Sequence, residues 1–230
     1  MKQKTTVQRG DAMTTLPVNE IFFSLQGEGT YTGCPAVFIR LQGCSVGCPY
    51  CDTQYAQQCD PSLRRSDPAI VFLKKRSNAL YADLDSSWLV QEVNRRSQNR
   101  PIAVITGGEP CQYDLTPLTS ALLSEGYPVH IETSGTELIR CHKECRITLS
   151  PKRKAVREEN WQRAQEIKLP VLTENDVQRY FERLKSLEKD VIICLQPVSC
   201  DPTATTLCVR LCQEHNWRLS LQMHKYLGIA

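Results

Sequence analysis

"LQGCSVGCPYCDT", residues 41–53, places Cys44, Cys48 and Cys51 four and then three residues apart, directly after an apolar run. A zinc ribbon supplies its ligands as two pairs, and a thioredoxin-like site needs only one. Three thiolates within eight residues suit an iron–sulfur cluster instead. A cubane of four irons normally takes four cysteines, so three leave one iron open. An open position is what separates a catalytic metal site from a structural one. Gly43 and Gly47 allow the loop to curl around such a group. As a zinc site the loop would need a fourth ligand, for which Cys59 is nearest. Cys141, His142 and Cys145 form a second patch of metal-ligand type.

Around this loop, short β-rich runs alternate with helix-like segments. Strands are predicted at 19–25, 36–42, 102–106, 129–133, 146–150, 191–196 and 217–223, and helices near 86–97, 115–125, 174–189 and 203–215. In the third of these helices, Val177, Tyr180, Phe181, Leu184 and Leu187 make one apolar stripe. Alternating strands and helices predict an α/β fold of βα units on a parallel sheet, curled into a full or partial barrel. Chemistry in such folds lies at the C-terminal ends of strands. The unusual residues fall there: "QGCSVGC", "TGGEP" (106–110), "ETSG" (132–135), "SPK" (150–152) and "QP" (196–197).

The chain has 230 residues, 41% hydrophobic and 23% charged, with a net charge of +3. One globular domain over 16–230 is expected, with a loose tail at 1–15 and a variable insertion at 54–100 holding one or two helices. Met13 offers an alternative start. The mild charge argues against nucleic-acid binding, and the basic clusters Arg64-Arg65, Lys74-Lys75-Arg76 and Lys152-Arg153-Lys154 read as solvated surface. No apolar stretch is long enough to span a bilayer, and the N-terminal charges are not followed by the apolar core of a signal peptide. The expected location is cytoplasmic. In a reducing cytosol, twelve cysteines point to metal or catalysis rather than disulfides. Cys208 and Cys212, at helical spacing with Ala204, Leu207 and Leu211, and Cys194 in "VIICL" read as small core residues.

The C-x-x-x-C-x-x-C pattern with Tyr50 before its last cysteine, together with "TGGEP", resembles the radical S-adenosylmethionine superfamily. That resemblance implies a [4Fe–4S] cluster whose open iron is chelated by the methionyl end of S-adenosylmethionine. Reduction of the sulfonium would then release a 5′-deoxyadenosyl radical. Adding "FSLQGEGTYTGCPAVFIRLQGC" (23–44), Thr53, "ETSG", "SPK", "LQP" and "QMHKYLGIA", the chain from about Val18 to Ala230 resembles the 7-carboxy-7-deazaguanine synthase family.

The family resemblance implies conversion of 6-carboxy-5,6,7,8-tetrahydropterin to 7-carboxy-7-deazaguanine with loss of ammonia, on the route to queuosine. It implies a magnesium-dependent homodimer on a partial, shortened βα barrel of the radical S-adenosylmethionine type, served by an external electron donor such as a flavodoxin. Carried over residue by residue, Leu25, Gln26, Gly27, Arg40, Thr106 and His224 would contact substrate, Arg40 gripping its carboxylate as a planar fork. Tyr50, Gly108, Ser150, Pro151, Lys152 and Gln196 would hold S-adenosylmethionine. Cys44, Cys48 and Cys51 would ligate iron, and Thr53 would offer Mg²⁺ an oxygen.

Each residue also has a plainer reading. Arg40 is then a surface ion pair, Thr53 or Asp52 a helix cap, Lys152 a solvated charge, Glu28 a surface acid, and Glu109 a brace for the glycine loop. Two rival functions are a glycyl-radical-enzyme activase and a zinc-binding interaction protein.

Overall fold

The computed structural model describes residues 15–72, 78–152, 155–187 and 190–229. Its strands are β1 (Thr15–Leu25), β2 (Pro35–Leu41), β3 (Ala82–Asp85), β4 (Ile102–Gly107), β5 (Val129–Thr133), β6 (Arg146–Leu149), β7 (Glu166–Val171), β8 (Ile192–Pro197) and β9 (Arg218–Leu219). The helices are α1 (Ser86–Arg96), α2 (Thr116–Ser124), α3 (Glu158–Arg163), α4 (Glu174–Gln178), α5 (Phe181–Lys185), α6 (Pro202–His215) and α7 (Met223–Leu227). All nine strands form one sheet in the order β3-β1-β2-β4-β5-β6-β7-β8-β9. Pairing is parallel from β2 through β9, while β1 runs antiparallel to both β2 and β3.

The two faces of the sheet are chemically different. Residues that alternate outward, such as Val37, Ile39, Leu41, Ala103, Ile105 and Ile131, are buried with Leu89 and Val93 of α1 and Leu118 and Leu122 of α2. Further along, Ile167, Leu169, Val171 and Leu195 pack with Trp161, Val177, Leu184, Cys208 and Leu211. Each buried Val, Leu or Ile among them contributes about 1.5–3 kcal/mol. The inward face begins with an apolar base of Ala36, Phe38, Ile102 and Val104, with Phe22 and Tyr31 against it, and turns polar above.

No strand pair closes the barrel among the described residues. The loop after β1 bridges the gap instead. Gly29 N–H donates to Ser220 Oγ (2.8 Å), Thr30 N–H to Glu166 (3.0 Å), and Met223 N–H to the Gly27 carbonyl (2.9 Å). An open barrel laced by one loop is the partial barrel expected.

Several elements depart from expectation. The 217–223 strand pairs only at Arg218 and Leu219. Gln222, further on, turns inward, where its amide serves two carboxylates, and the chain then becomes α7. The 174–189 helix breaks into α4 and α5 at Tyr180, whose hydroxyl reaches the Lys152 carbonyl (2.5 Å). Its apolar stripe still packs.

Strand β7 was not expected. "EIKLPV" carries two charges and a proline, which read against a central strand, yet Glu166 and Lys168 point into the barrel while Ile167, Leu169 and Val171 face the helices. The span 54–100 is more than a variable insertion, since β3 extends the sheet and α1 covers its core. Its residues 73–77 lie outside the described residues, as does the tail up to 14; Thr15 already belongs to β1. Cys194, Cys208 and Cys212 are core residues as expected.

Candidate active site

A cavity of about 260 Å³ opens at the C-terminal ends of the parallel strands. Every residue assigned to a site above lines it except Pro151, which is buried beside it. Backbone geometry explains the convergence. The glycine turn after β4 locks onto the cysteine loop after β2, with Gly108 N–H donating to Leu41 O (3.0 Å) and Glu109 N–H to Gly43 O (2.8 Å). Contact this close tolerates no side chain. A Cβ on Gly108 would lie 1.9 Å from Gly43 O, and Gly107 adopts φ +138° with a would-be Cβ 2.3 Å from Leu41 O.

Glu109 braces this junction. Its carboxylate accepts from Cys111 N–H (3.1 Å), Thr133 Oγ1 (2.5 Å), Ser134 N–H (2.8 Å) and Ser134 Oγ. It is 1% exposed, so the turn after β5 is tied to the turn after β4 through one buried acid.

The three cysteines sit on one wall. Val46 N–H points at Cys44 Sγ (3.4 Å), and Cys51 Sγ lies 3.6 Å from Thr53 Oγ1. Thr53 occupies the cap position of a short 3₁₀ turn, yet its hydroxyl makes no capping hydrogen bond. Asp52 does not cap either; it accepts from Gln222 (2.8 Å) and Lys225 (2.7 Å). Among the described residues, no three His, Cys, Asp or Glu side chains gather closely enough for a single metal ion. Cys59 is exposed and off the cavity wall, and among the described residues it joins no group of three metal-ligand side chains, so it does not supply a fourth zinc ligand. Cys141 and Cys145 lie off the cavity wall, and Cys141 Sγ accepts from Arg163 (3.4 Å). Thiol contact with Cys145 and the Arg163 guanidinium lower Cys141 to about 7.

Arg40 is both an ion-pair partner and a cavity residue. Glu20, directly across β1, takes its Nε at 2.6 Å, and Tyr55 steadies the same carboxylate oxygen at 3.0 Å. The guanidinium lies 5.7 Å from the Phe22 ring, which is stacked on Phe38. Lys152 donates to Ser150 Oγ (3.0 Å), and burial with the nearby Lys168 lowers its pKa. Gln196 accepts from Ser220 Oγ (3.0 Å). His224 packs so closely that a Cβ on Gly27 would lie 2.3 Å from its Nδ1, and burial lowers its pKa.

Sequence reasoning missed the charged floor. Glu28 is no surface acid: its carboxylate meets Lys168 Nζ at 2.5 Å and Gln222 Nε2 at 3.0 Å. Burial alone would raise its pKa, but the Lys168 charge and hydrogen bonds outweigh that and hold it down to about 2. Lys168 also lies 3.4 Å from Glu132, which accepts from Gln26 at 3.0 Å. The available signal was the alternation of Glu166 and Lys168 with the apolar Ile167, Leu169 and Val171.

No protein-family model matches the chain. Curated relatives do. A 7-carboxy-7-deazaguanine synthase of Buchnera aphidicola is 44% identical over 216 residues, covering 93% of this chain and 98% of the relative. One of Escherichia coli K12 is 42% identical over 223 residues, covering 93% and 99%. A solved structure described as the crystal structure of QueE from Escherichia coli superposes with a TM-score of 0.85 at 40% identity, over 91% of this chain and 95% of that one.

Proposed function

Because the chain belongs to the 7-carboxy-7-deazaguanine synthase family, we propose that its cavity converts 6-carboxy-5,6,7,8-tetrahydropterin to 7-carboxy-7-deazaguanine with loss of ammonia, in queuosine biosynthesis. The observation that carries this reading is the locking of the cysteine loop to the glycine turn over a polar cavity that Arg40 also lines.

In this reading Cys44, Cys48 and Cys51 hold a [4Fe–4S] cluster. The donor set supports it: three soft thiols from one loop, with a backbone N–H aimed at one sulfur. When bound, the cluster supplies an electron to S-adenosylmethionine and starts radical chemistry. Gly108, Ser150, Lys152, Gln196 and Tyr50 form the S-adenosylmethionine side, with Pro151 buried between Ser150 and Lys152. Thr53, whose hydroxyl is not spent on a cap, offers an oxygen to Mg²⁺.

Leu25, Gln26, Gly27, Thr106 and His224 surround the pterin, and Arg40 pins its carboxylate. Glu20 holds that guanidinium through Nε, so its orientation is set before substrate arrives. The full proposal includes a homodimer, one 16–230 unit around the single sheet, an external reductant such as a flavodoxin and a cytoplasmic location. Among the described residues, no helix is long and apolar enough to cross a membrane.

An activase acting on a protein backbone is not favoured, since the relatives that match along nearly the whole chain are 7-carboxy-7-deazaguanine synthases. Anaerobic incubation with the carboxytetrahydropterin, S-adenosylmethionine, Mg²⁺ and a reductant should yield 7-carboxy-7-deazaguanine by mass spectrometry. Substrate deuterated at C6 should carry label into recovered S-adenosylmethionine. Cofactor cleavage without the deazaguanine would refute the assignment.

A further inference from the structure

We propose that Lys168 is a positioning residue for the pterin: its ammonium joins Glu28 and Glu132, which arrive from different parts of the chain, into one acceptor surface on the cavity wall. The inference rests on the reading that this cavity takes the pterin.

Lys168 stands in the middle of β7 with its side chain 5% exposed. An ammonium so placed is costly unless it is paired and hydrogen-bonded. Its partners are Glu28, from the loop after β1, at 2.5 Å and Glu132, on β5, at 3.4 Å. Burial would lower its pKa, but the carboxylates of Glu132, Glu28 and Glu166 raise it, so it stays a cation. Without it, two carboxylates would share one half-buried pocket, where like charges disfavour each other.

The remaining hydrogen bonds show that the arrangement is aimed. Glu28 gives Oε2 to Lys168 and Oε1 to Gln222. Glu132 receives both Lys168 and Gln26 on the same oxygen, Oε1. Among the described residues, nothing donates to Glu132 Oε2, and Glu132 lines the cavity. Gln26 closes the frame, since its Oε1 accepts from Glu28 N–H at 3.1 Å. The cavity therefore presents both oxygen acceptors and the Arg40 guanidinium. A pterin has the matching polarity. Its 2-amino group and adjacent ring N–H form a guanidine-like donor edge, suited to a carboxylate, and its 6-carboxylate suits Arg40.

Lys168→Met removes the ammonium while keeping much of the stem. The probe is 6-carboxypterin, titrated by fluorescence into anaerobically reconstituted protein, with S-adenosylmethionine binding measured by equilibrium dialysis on the same samples. Lys168→Met should weaken 6-carboxypterin by about thirtyfold or more, the scale of breaking a buried charge pair. S-adenosylmethionine affinity should stay within about threefold.

Lys168→Met with Glu28→Gln removes one charge of each sign and serves as the second variant if the single one does not fold. Its melting temperature should recover towards the parent while pterin affinity stays weak. Pterin affinity that recovers along with the melting temperature would overturn the proposal, making Lys168 only a counter-charge. Unchanged affinity in Lys168→Met would overturn it as well. If the unaltered protein takes up S-adenosylmethionine but not 6-carboxypterin, the pterin reading of the cavity falls and this proposal with it.

Discussion

Gly108→Ala tests the junction on which the site depends. The new Cβ would sit 1.9 Å from Gly43 O, 2.5 Å from Gly43 C and 2.8 Å from Ala56 O. Real Cβ contacts essentially never fall below 3.0 Å, so the cysteine loop must retreat by about 1.1 Å, the shortfall from 1.9 Å. All three obstructing atoms are backbone, so no rotamer change relieves the clash. Gly43 immediately precedes Cys44, and displacement there separates the thiols from the glycine turn. A misplacement of about 1 Å costs roughly 100-fold in rate. The assay is anaerobic product formation with iron content and melting temperature measured alongside. The expected result is kcat/KM down about 100-fold with the protein folded and iron retained. Gly27→Ala is the contrast, because its obstruction is the His224 side chain, which can swing away; it should raise the KM for pterin and spare S-adenosylmethionine. Gly108→Ala with kcat/KM within about threefold of the parent would refute the claim that the close approach matters.

Alanine at Cys44, Cys48 or Cys51 should abolish cluster absorbance after anaerobic reconstitution, whereas Cys59→Ala and Cys141→Ala should retain it; the reverse pattern would break the ligand assignment. Thr53→Val keeps the shape and removes the oxygen, so activity should fall and its magnesium titration shift, and an unaltered titration counts against Mg²⁺ at Thr53. Burial, with the Arg146 charge adding to it, pushes His130 from 6.5 down to about 4. Between those values the unfolded chain binds the proton and the folded one does not, so stability falls as pH drops. From pH 7 to 5 the loss is about 2 kcal/mol, roughly 4–8 °C in melting temperature. His130→Gln should flatten that dependence, and parallel pH profiles for parent and variant would show that another group is responsible.

The cysteine loop, the glycine turn and the polar strand ends were legible in the sequence because their chemistry is local. Cysteine spacing, glycine pairs and short motifs carry their meaning within about ten residues, and a strand whose outer face must be apolar shows itself by alternation. Most strands and the long helices α1, α2 and α6 were read within a residue or two for the same reason. The assignments that failed depend on what lies across the barrel. Strand β7 hid behind Glu166, Lys168 and Pro170, because charges in a strand look exposed until the fold supplies Glu28 and Glu132 from elsewhere in the chain. Glu28 looked like a surface acid because its partner lies 140 residues away. The 217–223 run lost its strand once Gln222 was taken by Glu28 and Asp52. Burial of a charge is a pairwise property, and the pair exists only after the sheet has curled to bring both members to one cavity.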